Sequence, residues 1–171
     1  MRIHRLSTGR VKVKKNQISR AKGVGPKLTR VFFDTHWSDW LPIHAWIIEH
    51  DEGIWVVDTG ETHRTGVKGY LPRWHPYYAM AVRFDVKPEE EIGPQLSRMG
   101  IDPAHDVQKV IMTHLHTDHA GGMHHFPNAE FIINKNEFQT ASGWTGIMAG
   151  YLPHRWPKWL SPTMIEPEDK P

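Results

Sequence analysis

Apolar and polar positions alternate with two different periods along this chain. Residues 3–13 run Ile-His-Arg-Leu and then Val11-Lys-Val13, alternating as half-buried strands do, with Ser7-Thr8-Gly9 between them as a turn. Ile43–His50 and Ile54–Asp58 are apolar, β-branched and aromatic, and they flank Asp51-Glu52-Gly53, which predicts a β-hairpin. Val107–Thr113 reads as a buried strand and Glu130–Asn134 as a further one. Helix signals fall on Glu89–Met99 and Lys135–Ser142. Pro88 and three glutamates stand where a helix N-terminus favours negative charge, and Gly100 stands just past the end. Pro94 moves the expected start of that helix towards Ile92 or Gly93. Strands interspersed with short helices predict a mixed α/β fold.

The connections are unusual. Asn16–Arg30 is polar and basic, with Gly23, Gly25 and Pro26, and reads as a loop. Residues 61–88 form a long connection rich in Gly, Pro and aromatics; such length marks function or disorder, and the aromatics argue against disorder. Residues 143–171 form a second aromatic and Pro-rich segment, read as a lid. Gly69-Tyr-Leu-Pro-Arg-Trp-His-Pro is echoed by Gly150-Tyr-Leu-Pro-His-Arg-Trp-Pro. Chance among Pro/aromatic loops explains the echo; the sharper reading is two rigid lids lining one pocket. Trp74, Tyr77, Tyr78, Trp144, Trp156 and Trp159 are then candidates for the floor of a hydrophobic substrate pocket, though each also suits ordinary packing. Arg73 and Arg155 could meet a substrate carboxylate or merely stack on the neighbouring Trp.

Length and composition narrow the class. A chain of 171 residues is expected to be a single domain, with residues 1–33 as a basic N-terminal hairpin and loop. No strictly apolar run, tyrosine left out, exceeds four residues, which excludes a transmembrane helix and a secretory signal and makes a soluble, cytoplasmic protein the default. Cysteine is absent, so disulfides, thiolate ligands and Cys nucleophiles are excluded. Residues 1–33 hold 10 of the 21 Lys and Arg and no acid. Their alternation suits a solvated edge hairpin or a homodimer contact better than a nucleic-acid or membrane surface. Of 13 His, five lie between His114 and His125.

Those histidines carry the chemistry. The strand Val107–Thr113 runs into His114-Leu-His116-Thr-Asp118-His119-Ala-Gly121-Gly122. At the end of an extended strand, side chains two apart point the same way, so His114 and His116 can share one metal ion. Asp118 and His119 follow in the turn and can aim at a second ion, while Gly121 and Gly122 permit a tight return. Imidazole and carboxylate suit zinc first, with iron, manganese or cobalt as alternatives. Two such ions about 3.5–4 Å apart can hold a bridging hydroxide and polarise a carbonyl or phosphoryl oxygen. A His-rich surface loop is the bland alternative; a tag would be homopolymeric and terminal.

Thr113-His-Leu-His-Thr-Asp-His-Ala-Gly-Gly122 resembles the H-x-H-x-D-H signature of the metallo-β-lactamase superfamily, and Val57-Asp58-Thr59-Gly60 resembles its upstream aspartate motif. The long insertion between Asp58 and His114, the Asp-His-Ala-Gly-Gly continuation and the helix-plus-lid after Glu130 are most similar to N-acyl homoserine lactonase-type (quorum-quenching) hydrolases. The resemblance implies a four-layer αββα sandwich, of which this chain covers the N-terminal half plus a lid segment. It implies His114 and His116 at metal one, Asp118 and His119 at metal two, and Asp58 supporting their loop rather than simply capping a turn. It implies hydrolysis of a small-molecule lactone or ester by a hydroxide bridging a dinuclear site, with Asp118 taking up the proton. Relatives take a third His, a bridging Asp and a last His from a second β/α half. His124, His125 and His154 come too early for those places, so the 171-residue chain alone is expected to lack a complete site. The alternatives are a thioester (glyoxalase II-like), phosphoester or sulfate ester hydrolase, or a non-catalytic metal-binding half-fold or subunit needing a partner.

Overall fold

Seven strands share one mixed sheet in this computed structural model, which describes residues 1–18 and 31–166. They are β1 (Arg2–Val13), β2 (Leu41–His50), β3 (Gly53–Val57), β4 (Val82–Asp85), β5 (Val107–Met112), β6 (Glu130–Asn134) and β7 (Thr163–Ile165), in spatial order β4-β1-β2-β3-β5-β6-β7. Pairs β4–β1, β1–β2 and β2–β3 are antiparallel, whereas β3–β5, β5–β6 and β6–β7 are parallel. The helices are α1 (Lys15–Ile18), α2 (Ile92–Arg98), α3 (Thr117–Ala120), α4 (Lys135–Ser142) and α5 (Trp144–Ala149). None among the described residues is long and apolar enough to cross a membrane.

The expected hairpin at residues 3–13 is instead one continuous strand. The register of β1 against β2 shifts between Ser7 and Arg10, and Gly9 takes φ +96°, so Ser7-Thr8-Gly9 is a bulge rather than a turn. Thr8 is fully buried and its hydroxyl donates to the Ile43 carbonyl at 3.3 Å, which anchors the bulge inside the sheet. Nor is β1 an edge: its Arg10–Val13 end pairs with β4. Residues 19–30 of the predicted basic loop lie outside the described residues. The 61–88 connection holds a π-helical turn at Tyr77–Ala81 and β4, which sequence alternation did not reveal because β4 has only four residues.

One face of the sheet carries the main core. Ala45, Ile47, Val56, Val110, Met112, Phe131 and Ile133 alternate inwards and pack with Ile92 and Leu96 of α2 and with Leu115, Met123 and Phe126. Fully burying such side chains contributes about 1.5–3 kcal/mol each. On the other face, Trp46, Val57, Ile111 and Ile132 stand in register across four strands and are only partly covered, with Trp46 42% exposed. A smaller cluster of Val11, Val13, Ile43, Tyr78, Val82 and Leu152 joins the β1–β4 end to the 143–160 segment.

Candidate metal centre

Because β3 and β5 are parallel neighbours, their C-terminal ends emerge side by side, where open α/β sheets commonly place ligands. Asp58 follows β3 directly, and its N–H donates to the Ile111 carbonyl at 2.9 Å. Asp58 adopts φ +58°, a left-handed conformation that non-glycine residues take mainly where the surroundings enforce it. That bend aims its carboxylate into the loop after β5. There it accepts from the Thr113 N–H at 2.8 Å, the Thr113 hydroxyl at 2.7 Å and His119 Nδ1 at 2.8 Å. The Thr59 N–H and hydroxyl both donate to the His119 carbonyl at 2.7 Å, and the Gly121 N–H donates to the Gly60 carbonyl at 2.8 Å. A Cβ on Gly122 would lie 2.3 Å from the Thr59 carbonyl oxygen, so glycine is needed for this close return.

The motif's side chains gather at this point. The ring of His114 lies 3.8 Å from that of His119 and 5.2 Å from that of His116, centroid to centroid. Asp118 Oδ2 stands 3.7 Å from His119 Nε2. A carboxylate only accepts, so Asp58 fixes the proton on His119 Nδ1 and leaves Nε2 as a lone-pair donor. Burial works to lower the His119 pKa, but the hydrogen bond with Asp58 and the Asp118 charge outweigh it and the net direction is up. His114 moves down, through burial and then the neighbouring charges of His119 and His116. Three imidazoles and a carboxylate, one ring with its tautomer fixed from behind, suit divalent ions that prefer N and O donors.

A cleft of about 170 Å³ opens beside them, with His114, His116, Thr117 and Asp118 on one wall and Val11, Val13, Tyr77 and Phe84 on the other. Of the six aromatics proposed for the substrate pocket, Tyr77 and Tyr78 line this cleft, Tyr77 held by a hydrogen bond from Gln17 Nε2 at 2.9 Å. Trp74 and Trp144 do not; they are 62% and 72% exposed. The apolar wall comes instead from β1 and β4, because β1 runs straight through where a hairpin was expected. Trp156 packs on Phe138 and lines a separate, water-sized space with Glu61 and Tyr70. Trp159 sits against Phe131, and Tyr78 is buried under the cleft, donating its hydroxyl to the Gly150 carbonyl. The two echo segments do meet: the Arg155 guanidinium lies 4.6 Å over the Tyr70 ring while bonding the Gly69 and Tyr70 carbonyls, and His75 Nε2 donates at 2.8 Å to the Ile147 carbonyl just ahead of the second segment. Arg155 is thereby a brace between the segments, and Arg73 is exposed.

Four features escaped the sequence. Glu137 accepts from the Leu115 N–H at 2.8 Å inside the motif. Tyr151 stacks on His116 at 4.0 Å, its hydroxyl pushed up to about 12 by burial and by Glu137. Asn134 caps α4 through its side-chain oxygen, while the Glu137 side chain turns away from the helix start to the histidine loop. Glu61 is fully buried behind Gly121, with its carboxyl pushed up to about 8 by burial and no partner for Oε2 among the described residues. Finally, Glu91, His124 and His125 bring donor atoms within 4.8 Å of one another.

The geometry and the motif agree with comparison to known proteins. The family model described as the metallo-beta-lactamase superfamily matches residues 38–134, and the chain belongs to that superfamily. It is 30% identical over 142 residues to the N-acyl homoserine lactonase AttM of Azorhizobium caulinodans, covering 82% of this chain and 48% of that protein. It is 31% identical over 105 residues to the N-acyl homoserine lactonase AiiA of Bacillus thuringiensis subsp. kurstaki, covering 59% of this chain and 40% of the relative. The chain thus spans about half the length of the curated relatives it matches. In fold it is similar to a crystal structure of a B. thuringiensis AiiA mutant with N-decanoyl-L-homoserine bound, with TM-score 0.74 at 22% identity, over 96% of this chain and 59% of that one.

Proposed function

We propose that this chain carries the histidine loop of a metal-dependent hydrolase that opens a lactone or related ester. The observation that carries the proposal is the Asp58-anchored loop, which gathers His114, His116, Asp118 and His119 beside a cleft with an apolar far wall. The similarity to N-acyl homoserine lactonases supports the substrate class. In this reading His114 and His116 hold one divalent ion and Asp118 and His119 a second, with zinc the first candidate. When bound, the ions supply an activated water and polarise the scissile carbonyl. The chain's own residues do the rest. Asp58 keeps the proton on His119 Nδ1, and Glu137 pins the Leu115 backbone between the two leading histidines. Tyr151 fixes the plane of His116 by stacking. Asp118, only partly covered at the cleft, would take up the proton of the attacking water and return it to the alkoxide oxygen as the ester C–O bond breaks. Val11, Val13 and Phe84 offer an acyl chain a dry wall opposite the reacting carbonyl.

The test is a substrate panel on the natural protein that carries this chain, loaded with zinc: an N-acyl homoserine lactone, an acyl thioester and a phosphodiester. Lactone opening yields a carboxylic acid and is read by pH-stat. The reading expects the lactone to be turned over fastest and His116→Ala to remove the activity. Preference for the thioester or the phosphodiester would move the protein to another branch of the superfamily.

A further inference from the structure

We propose that Glu91, His124 and His125 form a second divalent-cation site, separate from the motif, which takes zinc or a similar imidazole-preferring ion on Glu91 Oε2 and the two Nε2 atoms. The two histidines sit in a single 3-10 turn, Met123–His125, and Glu91 precedes α2. The Glu91 side chain is 3% exposed, yet its two oxygens are differently employed. Oε1 accepts from the Thr62 hydroxyl and the His63 N–H, each at 2.8 Å, and is in contact with His63 Nδ1. Oε2 faces His125 Nε2 at 2.6 Å and His124 Nε2 at 3.5 Å.

The tautomer of His124 makes this arrangement informative. Its Nδ1 lies 3.2 Å from the Gly121 carbonyl oxygen, which can only accept, so Nδ1 carries the proton. In neutral His124, Nε2 is therefore bare, and a lone pair faces a carboxylate oxygen across 3.5 Å. Two acceptors in that position need something positive between them. A second proton on the ring would favour an N–H···O separation of about 2.7–3.2 Å, shorter than observed. Two atoms bound tetrahedrally to one zinc at about 2.0–2.2 Å stand roughly 3.3 Å apart, close to the 3.5 Å of His124; His125 Nε2, a hydrogen-bond donor to Oε2 at 2.6 Å in the ion-free chain, gives up its proton and moves outwards by under about 1 Å when the ion binds.

The surroundings favour an ion as well. Burial works to raise the Glu91 pKa, but the imidazoles of His124 and His125 that face the carboxyl, together with the His63 N–H and ring, outweigh it, and the net direction is down, towards the anionic form. Gly93 clears space for the His125 ring, since a Cβ there would lie 2.3 Å from His125 Nδ1. His124 borders a cleft of about 230 Å³ with Thr62, Tyr70 and Trp159, so solvent can complete the coordination. His63 is a positioning residue: it occupies Oε1 and leaves Oε2 to the ion.

The experiment uses the full chain with His114→Ala, His116→Ala and His119→Ala, so that the motif is silent. After zinc loading and dialysis, elemental analysis is expected to find about one zinc per chain, with X-ray absorption showing two imidazoles and oxygen at about 2.0–2.1 Å. Adding His124→Ala, an exposed position, is expected to remove that zinc without changing the circular dichroism. Adding His63→Asn is expected to weaken binding about 10–100-fold. A folded triple variant that retains no zinc, or zinc retained unchanged after His124→Ala, overturns the proposal. So does imidazole NMR showing a doubly protonated His124 at neutral pH with no zinc taken up. If the triple variant does not fold, His124→Ala alone in the otherwise unchanged chain must lower zinc content by one equivalent, and an unchanged content overturns the proposal.

Discussion

The histidines at 114–119 and those at 124 and 125 are near neighbours in sequence, yet their carboxylates stand in different relations to them. Asp58 binds His119 through Nδ1, the ring nitrogen turned away from the cleft, and so prepares Nε2 without competing for it. Glu91 instead faces the Nε2 atoms of His124 and His125 directly. The first arrangement builds a supported set of donors open to a cleft, suited to ions that must also meet a substrate. The second closes a carboxylate and two rings on one point under partial cover, suited to holding an ion for structure. On these two proposals, carboxylate and imidazole would serve different ends, decided by whether the acid lies behind the ring or before it. A thin partition of Glu61, Thr62, Gly121 and Gly122 joins the two clusters, and a Cβ on Gly121 would meet Glu61 Oε1 at 2.3 Å and Thr62 N at 2.8 Å.

Breaking one cluster at a time tests the difference. The largest effect is expected from His114→Ala with His116→Ala, which removes donors from the substrate side. Loss of an ion's electrostatic stabilisation, worth several kcal/mol, should lower lactone turnover by roughly a thousandfold or more, while zinc at Glu91 stays bound. Gly121→Ala strikes both clusters, because its new methyl meets the backbone at Glu61 Cα and Thr62 N, each at 2.8 Å, as well as the buried Glu61 carboxyl. It should destabilise the chain by roughly 3 kcal/mol, read as a lowered denaturant midpoint, and reduce zinc at both places. Asp58→Ala should weaken metal retention at the motif about 10–100-fold and leave Glu91, His124 and His125 untouched. Unchanged metal content would reduce Asp58 to a turn residue.

The smallest effect concerns the partition. Burial raises the Glu61 carboxyl from the ordinary 4.5 to about 8, so between those values the folded chain holds a proton that the unfolded chain has lost. Stability from this group is then fully present below about pH 4.5 and falls as pH rises through about 8. Glu61→Gln keeps the shape and removes the titration. Thermal melts of the metal-free chain should show the wild type losing roughly 5 °C relative to Glu61→Gln between pH 5 and pH 8. Parallel pH profiles would mean that Glu61 does not titrate in the partition.

Much of this molecule was legible in order along the chain. The β2–β3 hairpin, β5, β6 and α4 follow from local period and turn residues, and α2 begins at Ile92, as Pro94 required. The H-x-H-x-D-H spacing is local too, because its first two rings, two residues apart just past the end of β5, stand 5.2 Å from one another. What was missed depends on distance in sequence. Glu91 was one of three glutamates at a helix start; Glu90 does bond there, to the Lys87 N–H at 2.8 Å, but Glu91 turns inwards to residues 28 to 34 positions away. The straight course of β1 depends on Thr8 being buried under Ile43, a tertiary contact that no alternation pattern carries. Trp74 and Trp144 misled for the opposite reason: aromatic character suggested a pocket, while both stand exposed and the cleft wall is built from Val11, Val13, Tyr77 and Phe84.

The measurement that bears most directly on the central claim is imidazole nitrogen NMR on the metal-free chain titrated with zinc. The account predicts that His114, His116 and His119 respond together, with His119 protonated at Nδ1 towards Asp58 and coordinating through Nε2. A folded chain in which zinc leaves those three rings unchanged would contradict the assignment of the 114–119 loop as a metal centre.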